Sequence, residues 1–125
     1  MANISRFEDL QCWQKARQLA NAIYDLADNS KFARDVRLSG QIKGAAGSVM
    51  HNIAEGYDSG TDLEFIRFLK MARRSASEVQ SELYLAVDRK YISIEEQHKA
   101  YELAIETKKL INGLIAYLRK TKKVS

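Results

Sequence analysis

The sequence of 125 residues contains no proline, only six glycines and a single cysteine. Proline is the residue that breaks helix interiors most strongly, so its absence leaves long uninterrupted helices possible. One cysteine cannot form an internal disulfide. Cys12 lies beside Trp13 in an apolar pattern, and we expect it to be a small buried or half-buried residue. These absences, with many Ala, Leu, Ile, Glu, Lys and Arg residues, favour an all-α chain.

Long apolar runs are also missing. No uninterrupted run approaches the ~18 residues that a membrane-spanning helix needs, and the first five residues, Met-Ala-Asn-Ile-Ser, do not resemble a secretory signal. We therefore expect a soluble, cytoplasmic protein without membrane contact. The length suits one domain over 1–125 with a core of its own.

Three helix starts carry the capping-box pattern, in which a hydroxyl and a carboxylate three residues later satisfy free backbone N–H groups. The boxes are Ser5 with Glu8, Thr61 with Glu64, and Ser93 with Glu96. Gly56 is expected to end the second helix in the left-handed conformation, and 29–31 to form the turn before that helix. The predicted helices cover about 6–28, 34–56, 62–90 and 94–119, followed by a frayed basic tail over 120–125.

Short connections make consecutive helices antiparallel neighbours. The expected fold is therefore a single antiparallel up-down-up-down four-helix bundle, with crossing angles near ~20°. Apolar residues recur at steps of three and four along each predicted helix, which gives each one a stripe that faces the core.

A polar stripe runs beside the core stripe on the second and third helices. It allows two interpretations: hydrogen bonds across closely packed helices that fix their register, or a polar cleft that receives a ligand. In the first, which we favour, Glu55 and Glu78 pair with Arg73 or with a neighbouring subunit. This predicted polar seam comprises Gln41, Ser48, Asn52, Glu55, Arg73, Ser75 and Glu78.

Several of these residues also carry a family resemblance. They are Phe7-Glu8-Asp9-Leu10 with Trp13, Gln41, Ala45-Ala46, Ser48, Asn52-Ile53-Ala54-Glu55-Gly56, Ala72-Arg73, Ser75 and Glu78. Over about 7–119 the chain resembles the 23S rRNA intervening-sequence proteins, which are small four-helix bundles. It departs from their pattern at Ala33 and Met50, where proline is common, and at Gly44, where a basic residue is frequent.

The resemblance implies a fold and an assembly. The family name records that such genes lie within intervening sequences of large-subunit rRNA genes, and it implies no enzymatic activity. Related bundles include the accessory protein of diversity-generating retroelements, which looks like a basic pentameric barrel acting with a reverse transcriptase. The resemblance therefore implies a homopentameric ring that binds RNA or a nucleoprotein.

Residues suited to enzymatic chemistry are sparse. Di-iron bundles use two Glu-x-x-His motifs, whereas this chain has one, Glu95 with His98, whose glutamate lies in the predicted first turn of a helix. Cys12 and the two histidines fall on different predicted helices, and no glycine-rich phosphate loop is present. We expect no enzyme, no metal and no cofactor; a metal-dependent enzyme is the least favoured alternative.

Basic residues supply the remaining functional signal. The formal net charge is +4, and the excess is concentrated after residue 90. Most runs of charge are solvated faces, but clustered cations on one helix face can also meet phosphates. The nucleic-acid-binding candidates are Arg67, Lys70, Arg74, Arg119, Lys120, Lys122 and Lys123.

The third and fourth helices carry more apolar surface than one core needs. Such an excess marks a subunit interface, or it reflects a wide stripe that faces two neighbours within one bundle. Contact between unlike surfaces would be head-to-tail and would close into a ring. The interface candidates are Phe68, Leu85, Leu103, Leu110, Leu114 and Tyr117.

The sequence therefore predicts a non-enzymatic homo-oligomeric bundle, with a pentameric ring favoured, that binds RNA or a nucleoprotein partner through basic surfaces. The alternative is a protein–protein scaffolding module that does not bind nucleic acid. The charge pattern identifies neither the kind of nucleic acid nor a protein partner.

Overall fold

The computed structural model describes residues 3–124, with side chains described as far as Thr121. Within these residues all regular secondary structure is helical, which confirms the prediction of an all-α chain. The elements are a 3₁₀ turn, Phe7–Asp9, and the helices α1 Gln11–Ala27, α2 Ser30–Arg34, α3 Val36–Tyr57, α4 Asp62–Asp88 and α5 Ile94–Val124.

The four long helices form a closed bundle in which α1 and α4 each pack against both α3 and α5. Side-chain pairs show the direction of neighbouring helices. Between α4 and α5, Tyr84 packs against Tyr101 while Arg73 reaches Asn112, so the partner number rises as the α4 number falls. That order is antiparallel, and the predicted four-helix bundle is confirmed.

The core consists of the apolar stripes of the four long helices. Their large side chains are removed from solvent, and burial of each contributes roughly 1.5–3 kcal/mol. Small residues on α3 and α4 let these two helices approach closely. The fully buried residues include Leu19, Ile23, Ile42, Ala46, Val49, Ile53, Leu69, Ala72, Ala76, Leu83 and Ile111.

The predicted start of the first helix is wrong. Ser5 does not form a capping box with Glu8; its N–H and hydroxyl bond the Asp9 carboxylate at 3.2 and 3.3 Å. Leu10 is extended, with φ −72° and ψ 127°, and its side chain is buried. The chain therefore bends at Leu10, and α1 begins only at Gln11.

The region between the first two long helices also differs from the prediction. Asn29 caps the short helix α2 by accepting the N–H of Ser30, so 29–31 is a helix start rather than a turn. Asp35 then interrupts the helix and caps α3, since its Oδ1 accepts the N–H of Leu38 at 3.0 Å. The Tyr91 hydroxyl donates to Oδ2 of the same carboxylate at 2.9 Å.

We predicted that Gly56 ends the second long helix in the left-handed conformation, and this is wrong. The helix α3 continues through Tyr57, and Gly60 takes the positive φ, +97°, in the following turn. At the next start, Thr61 accepts the N–H of Glu64 as predicted, but the Glu64 carboxylate bonds Arg67 instead of completing the box.

The last two helix boundaries differ from the prediction by a few residues. Helix α4 ends at Asp88 rather than at about 90. The capping box of Ser93 with Glu96 is complete, with bonds of 2.9 and 3.0 Å, and is confirmed. Helix α5 continues to Val124, so 120–124 extends the helix rather than forming a frayed tail.

Candidate nucleic-acid interface and polar seam

Three residues of the predicted polar seam meet between α3 and α4. The Ser48 and Ser75 hydroxyls are 3.0 Å apart. The Asn52 amide donates to the carbonyl and the hydroxyl of Ser48 at 2.8 and 2.9 Å. Asn52 is only 9% exposed, so these bonds satisfy an amide that would be costly to bury alone.

The other four seam residues do not join this cluster. Gln41, Glu55 and Glu78 are exposed. Arg73 lies on the α5 side of α4 and donates to Asn112 Oδ1 at 2.7 Å. The expected pairing of Arg73 with Glu55 or Glu78 is therefore wrong, because the rotation of α4 directs the guanidinium away from α3.

Gly56 allows the ends of α3 and α4 to approach closely. A Cβ at this position would lie 2.8 Å from Phe68 Cβ and 2.9 Å from Phe65 Cδ1. A Cβ atom essentially never lies within 3.0 Å of another heavy atom of this kind. Phe68 Cβ is bonded directly to the α4 backbone, so it cannot move aside unless the helix moves. The glycine thus belongs to the helix contact rather than to the helix end.

Glu82 is a titratable residue that the predicted set did not include. Its Oε1 is buried and has no hydrogen-bond partner within the described part of the chain. Burial, and secondarily the charge of Glu78, raises the pKa of the Glu82 carboxyl to about 7. The Ser48–Ser75 pair sets an antiparallel register that places Glu82 at the level of Gln41 on α3.

The residues considered for catalysis are dispersed. Cys12 is buried as predicted, and burial raises the pKa of its thiol to about 12, so it is not a thiolate at neutral pH. Among residues 3–121, no three His, Cys, Asp or Glu side chains converge as metal ligands. No helix in the described range has both the length and the apolar composition to span a bilayer.

Two acid-free stretches contain half of the chain's cations. Between Glu64 and Glu78 lie Arg67, Lys70, Arg73 and Arg74, and after Glu106 lie Lys108, Lys109, Arg119, Lys120, Lys122 and Lys123. Because α4 and α5 are antiparallel, these two stretches pack side by side at the same end of the bundle. We call the surface they form the cationic face.

The Arg73–Asn112 contact fixes the geometry of the cationic face. Lys70 lies nearly one turn before Arg73 on α4, and Arg119 lies two turns after Asn112 on α5, so both are on the sides of their helices that adjoin the neighbouring helix. From Lys108 to Lys120 the cations extend ~18 Å along α5, at 1.5 Å per residue.

The charges on the cationic face are largely uncompensated. Arg67 is paired with Glu64 at 3.0 and 3.1 Å, and its guanidinium lies 5.2 Å from the Phe68 ring. Arg73 and Lys108 donate to neutral amides, those of Asn112 and Gln80, and so keep their full charge.

Further cations on this face are exposed and make no hydrogen bond or ion pair within the described range: Lys70, Arg74, Lys109, Arg119 and Lys120. Lys108 and Lys109 were not among the predicted site residues, and the acid-free run after Glu106 is the sequence signal that identifies them. Lys122 and Lys123 lie outside the residues whose side chains the structure describes.

Three of the predicted interface residues pack largely within the monomer. Leu103, Leu110 and Leu114 are half-buried against the core and line two grooves between α1 and α5. The stripe of α5 therefore faces two neighbours within one bundle, as the alternative interpretation held. The groove at Leu103 has a volume of about 610 Å³ and a mostly apolar lining, and its rim is acidic overall because Asp25, Glu96, Glu102 and Glu106 outnumber Lys99.

Phe68 and Leu85 do not share a surface. They are about 25 Å apart along α4 and about 100° apart around it, and Phe68 packs towards Gly56 of α3. Leu85 is 48% exposed beside Tyr84, which is 55% exposed, and Tyr117 is 41% exposed. The two interface candidates predicted on α4, Phe68 and Leu85, therefore do not form one apolar face.

Comparisons with known proteins agree with this architecture. The model of the 23S rRNA-intervening sequence protein family matches residues 8–113. The chain is similar to a crystal structure of a protein with unknown function from the S23 ribosomal protein family of Bacteroides thetaiotaomicron, with 25% identity, a TM-score of 0.77, and coverage of 84% of this chain and 95% of that one. No curated protein shows significant similarity. Because the family model spans most of the sequence, the chain belongs to the 23S rRNA-intervening sequence protein family.

Proposed function

We propose that this protein is a non-enzymatic, homo-oligomeric cytoplasmic bundle that binds RNA through the phosphates of its backbone. One observation carries the proposal: the cationic face combines cations from α4 and α5 with no carboxylate between Glu64 and Glu78 or after Glu106. Most surface cations have acidic neighbours, whereas this face attracts anions over an extended area.

The expected strength of the interaction follows from the number of free cations. Lys70, Arg74, Lys109, Arg119 and Lys120 are exposed and unpaired in the described structure. Each phosphate neutralised releases counterions, so affinity falls steeply with salt. One subunit offers few such contacts, but repetition of the face around an oligomer would add them by avidity.

Two unlike surfaces support a head-to-tail assembly. The exposed Leu85 and Tyr84 form an apolar ridge near the end of α4, next to the oppositely charged Asp88 and Arg89. The groove at Leu103 on α1 and α5 is apolar with an acidic rim. The apolar ridge of one subunit matches the apolar lining of the groove of a second copy, and unlike surfaces of this kind generate rings when the rotation closes.

The proposal is tested by binding of a structured RNA at several salt concentrations between about 50 and 200 mM. We expect Lys70→Glu with Arg74→Glu to weaken binding by about tenfold or more, since two phosphate contacts become repulsive. The matched control is Lys31→Glu with Arg34→Glu, which reverses two exposed cations of α2 at the opposite end of the bundle. Equal effects of the two variants, or no salt-dependent binding, would overturn the proposal.

A scaffolding protein that binds only proteins is the second candidate, and the groove at Leu103 favours it. In that case an apolar helix with basic flanks, from a different protein, would occupy the groove. The binding assay separates the two candidates, because a scaffold of this kind has no affinity for RNA at low salt and is unaffected by charge reversal at Lys70 and Arg74.

A further inference from the structure

We infer that the ligand of the cationic face is double-helical nucleic acid, held through its phosphates and without selection of base sequence. This inference rests on the proposed function and specifies the ligand of the same surface. It follows from three features of the face: the positions of the aromatic residues, the hydrogen bonds that the amide side chains already make, and the spacing of the charges on two rigid helices.

Most aromatic side chains lie away from the free cations. Tyr84 packs edge-on against Tyr101 at 5.6 Å, near the other end of the α4–α5 pair. Tyr117 follows Leu110 and Leu114 at steps of seven and three, which puts it towards the α1 side of α5 and one turn before Lys120. Proteins that bind single strands combine a basic groove with several aromatic platforms for successive bases, whereas the described residues place no row of aromatic side chains along the cationic face.

The amides that could read bases are already engaged. Asn112 Oδ1 accepts the Arg73 guanidinium at 2.7 Å, and Gln80 Oε1 accepts Lys108 Nζ at 3.0 Å. Asparagine and glutamine read adenine through paired bonds from the same amide oxygen and nitrogen. With their oxygens occupied, these residues keep cations in place rather than read base edges. The deep, narrow major groove of an RNA duplex keeps the arginines and lysines from the guanine edges as well, so their contacts are those to phosphate.

The charge spacing also favours a duplex. The cations are mounted on two packed helices, and they extend ~18 Å along α5. A duplex carries one phosphate per ~1.7 Å of its axis and a single strand one per ~3.4 Å, so the same length presents about twice the charge. A duplex is also stiff before it binds, whereas a single strand must be ordered along the helices at an entropic cost.

The test compares fluorescence anisotropy titrations of an RNA duplex of about 20 base pairs, its two separate strands, a second RNA duplex of unrelated sequence, and a DNA duplex of the first sequence. We expect both RNA duplexes to bind within about threefold of each other, the DNA duplex within about tenfold, and each single strand at least about tenfold more weakly. Lys70→Glu with Arg74→Glu should abolish the preference for duplex, and Lys31→Glu with Arg34→Glu should retain it.

The outcomes separate this inference from the proposed function. Single strands that bind as tightly as duplexes, with the same sensitivity to Lys70 and Arg74, would overturn the inference and leave RNA binding intact. A difference of more than about tenfold between the two RNA duplexes would overturn the absence of sequence selection. No binding of any of the nucleic acids would overturn both. Arg119→Glu, an exposed single change on α5, is the second variant, and circular dichroism verifies that each variant remains helical.

Discussion

At the scale of single residues, the Asn-Ile-Ala-Glu-Gly run is explained by packing. Asn52 bonds to Ser48, Ile53 is fully buried, and Gly56 leaves room for Phe68. These three positions contribute no free polar group to a ligand cleft, and Glu55 is exposed outside the contact. The run therefore sets how closely α3 and α4 approach, and the interpretation of the seam as a register-fixing contact fits the geometry.

The Gly56 contact leads to a stability prediction. Gly56→Ala places a Cβ within 3 Å of Phe68 Cβ and Phe65 Cδ1, so the helices must separate, and we expect the free energy of unfolding to fall by about 1–3 kcal/mol. Gly44→Ala is the control, because no atom lies within 4 Å of its Cβ position; it should stabilise α3 by up to ~1 kcal/mol. Urea denaturation measures both, and a Gly56→Ala protein as stable as the control would contradict the close approach.

Glu82 gives the bundle a pH dependence whose sign follows from its raised pKa. The pKa rises from an ordinary 4.5 to about 7 in the folded state, so between these values the folded chain binds more protons than the unfolded chain. Stability contributed by protonated Glu82 is then fully present below about pH 4.5 and is lost as the pH rises through about 7.

Glu82→Gln should remove the fall in stability that accompanies ionisation of Glu82. At about pH 8 we expect the variant to be more stable than the parent by on the order of 1 kcal/mol, a value kept small because solvent screens a partly exposed carboxylate. Near pH 4.5 the two should be similar. Thermal unfolding at both pH values measures the difference, with Glu55→Gln, an exposed change on α3, as the control. An equal pH profile for parent and Glu82→Gln would rule out a buried Glu82.

The stripe pattern predicted part of the seam and missed the rest for a physical reason. Helical periodicity places Ser48, Asn52 and Ser75 on stripes that face each other, and they meet. Periodicity does not specify the rotation of α4 in the bundle, which directs Arg73 towards Asn112 of α5 rather than towards a glutamate. It also does not show that Glu82 lacks a partner, because that depends on the side chain opposite.

At the scale of elements, the existence and number of the long helices followed from the sequence, while their ends did not. Asp35 caps α3 without a glutamate three residues later, so no capping box announced it. Ser5 carries the box pattern but bonds Asp9, because burial of Leu10 bends the chain before the helix can start. A cap motif is local, whereas the tertiary position of the flanking apolar residue decides whether the motif is used.

The end of α4 provides a prediction for a whole element. Lys90 adopts φ +62°, and the N–H groups of Tyr91 and Lys90 bond the carbonyls of Ala86 and Val87, which is a Schellman end with lysine where glycine is usual. Lys90→Gly should raise the free energy of unfolding by about 1 kcal/mol through relief of the left-handed strain.

The control for Lys90 is its neighbour Arg89, which has φ −83°. Arg89→Gly should be neutral or destabilising, because glycine there only adds freedom to the unfolded chain. Chemical denaturation of both variants decides the matter. Stabilisation by Arg89→Gly and not by Lys90→Gly would contradict the assigned end of α4.

At the scale of the whole molecule, the cationic face exists only because of the topology. Each acid-free stretch is visible in the sequence, but they are separated by the residues from Glu78 to Glu106 and become neighbours only when α4 and α5 pack antiparallel. The predicted basic residues thus included Lys70 and Arg119 without placing them on one surface. Charge counted by segment does not reveal such a face.

Assembly is predicted at the same scale. Light scattering at micromolar concentration should report a closed species larger than a dimer, with a pentamer favoured. Leu85→Glu should convert it to a smaller species, because the α4 ridge would then carry a negative charge towards the apolar groove of the next subunit and its acidic rim. Leu63→Glu, at an exposed leucine at the start of α4, is the control. A parent mass near the 14.2 kDa monomer would contradict the assembly.

The central claim, that nucleic acid binds the cationic face, is tested most directly by lysine footprinting with and without an RNA duplex. Amine-reactive labelling followed by mass spectrometry reports each lysine separately. We expect the labelling of Lys70, Lys109 and Lys120 to fall several-fold in the complex, whereas that of Lys31 and Lys90, exposed at the opposite end of the bundle, stays unchanged. Protection of Lys31 and Lys90, or uniform labelling of all five, would contradict the account.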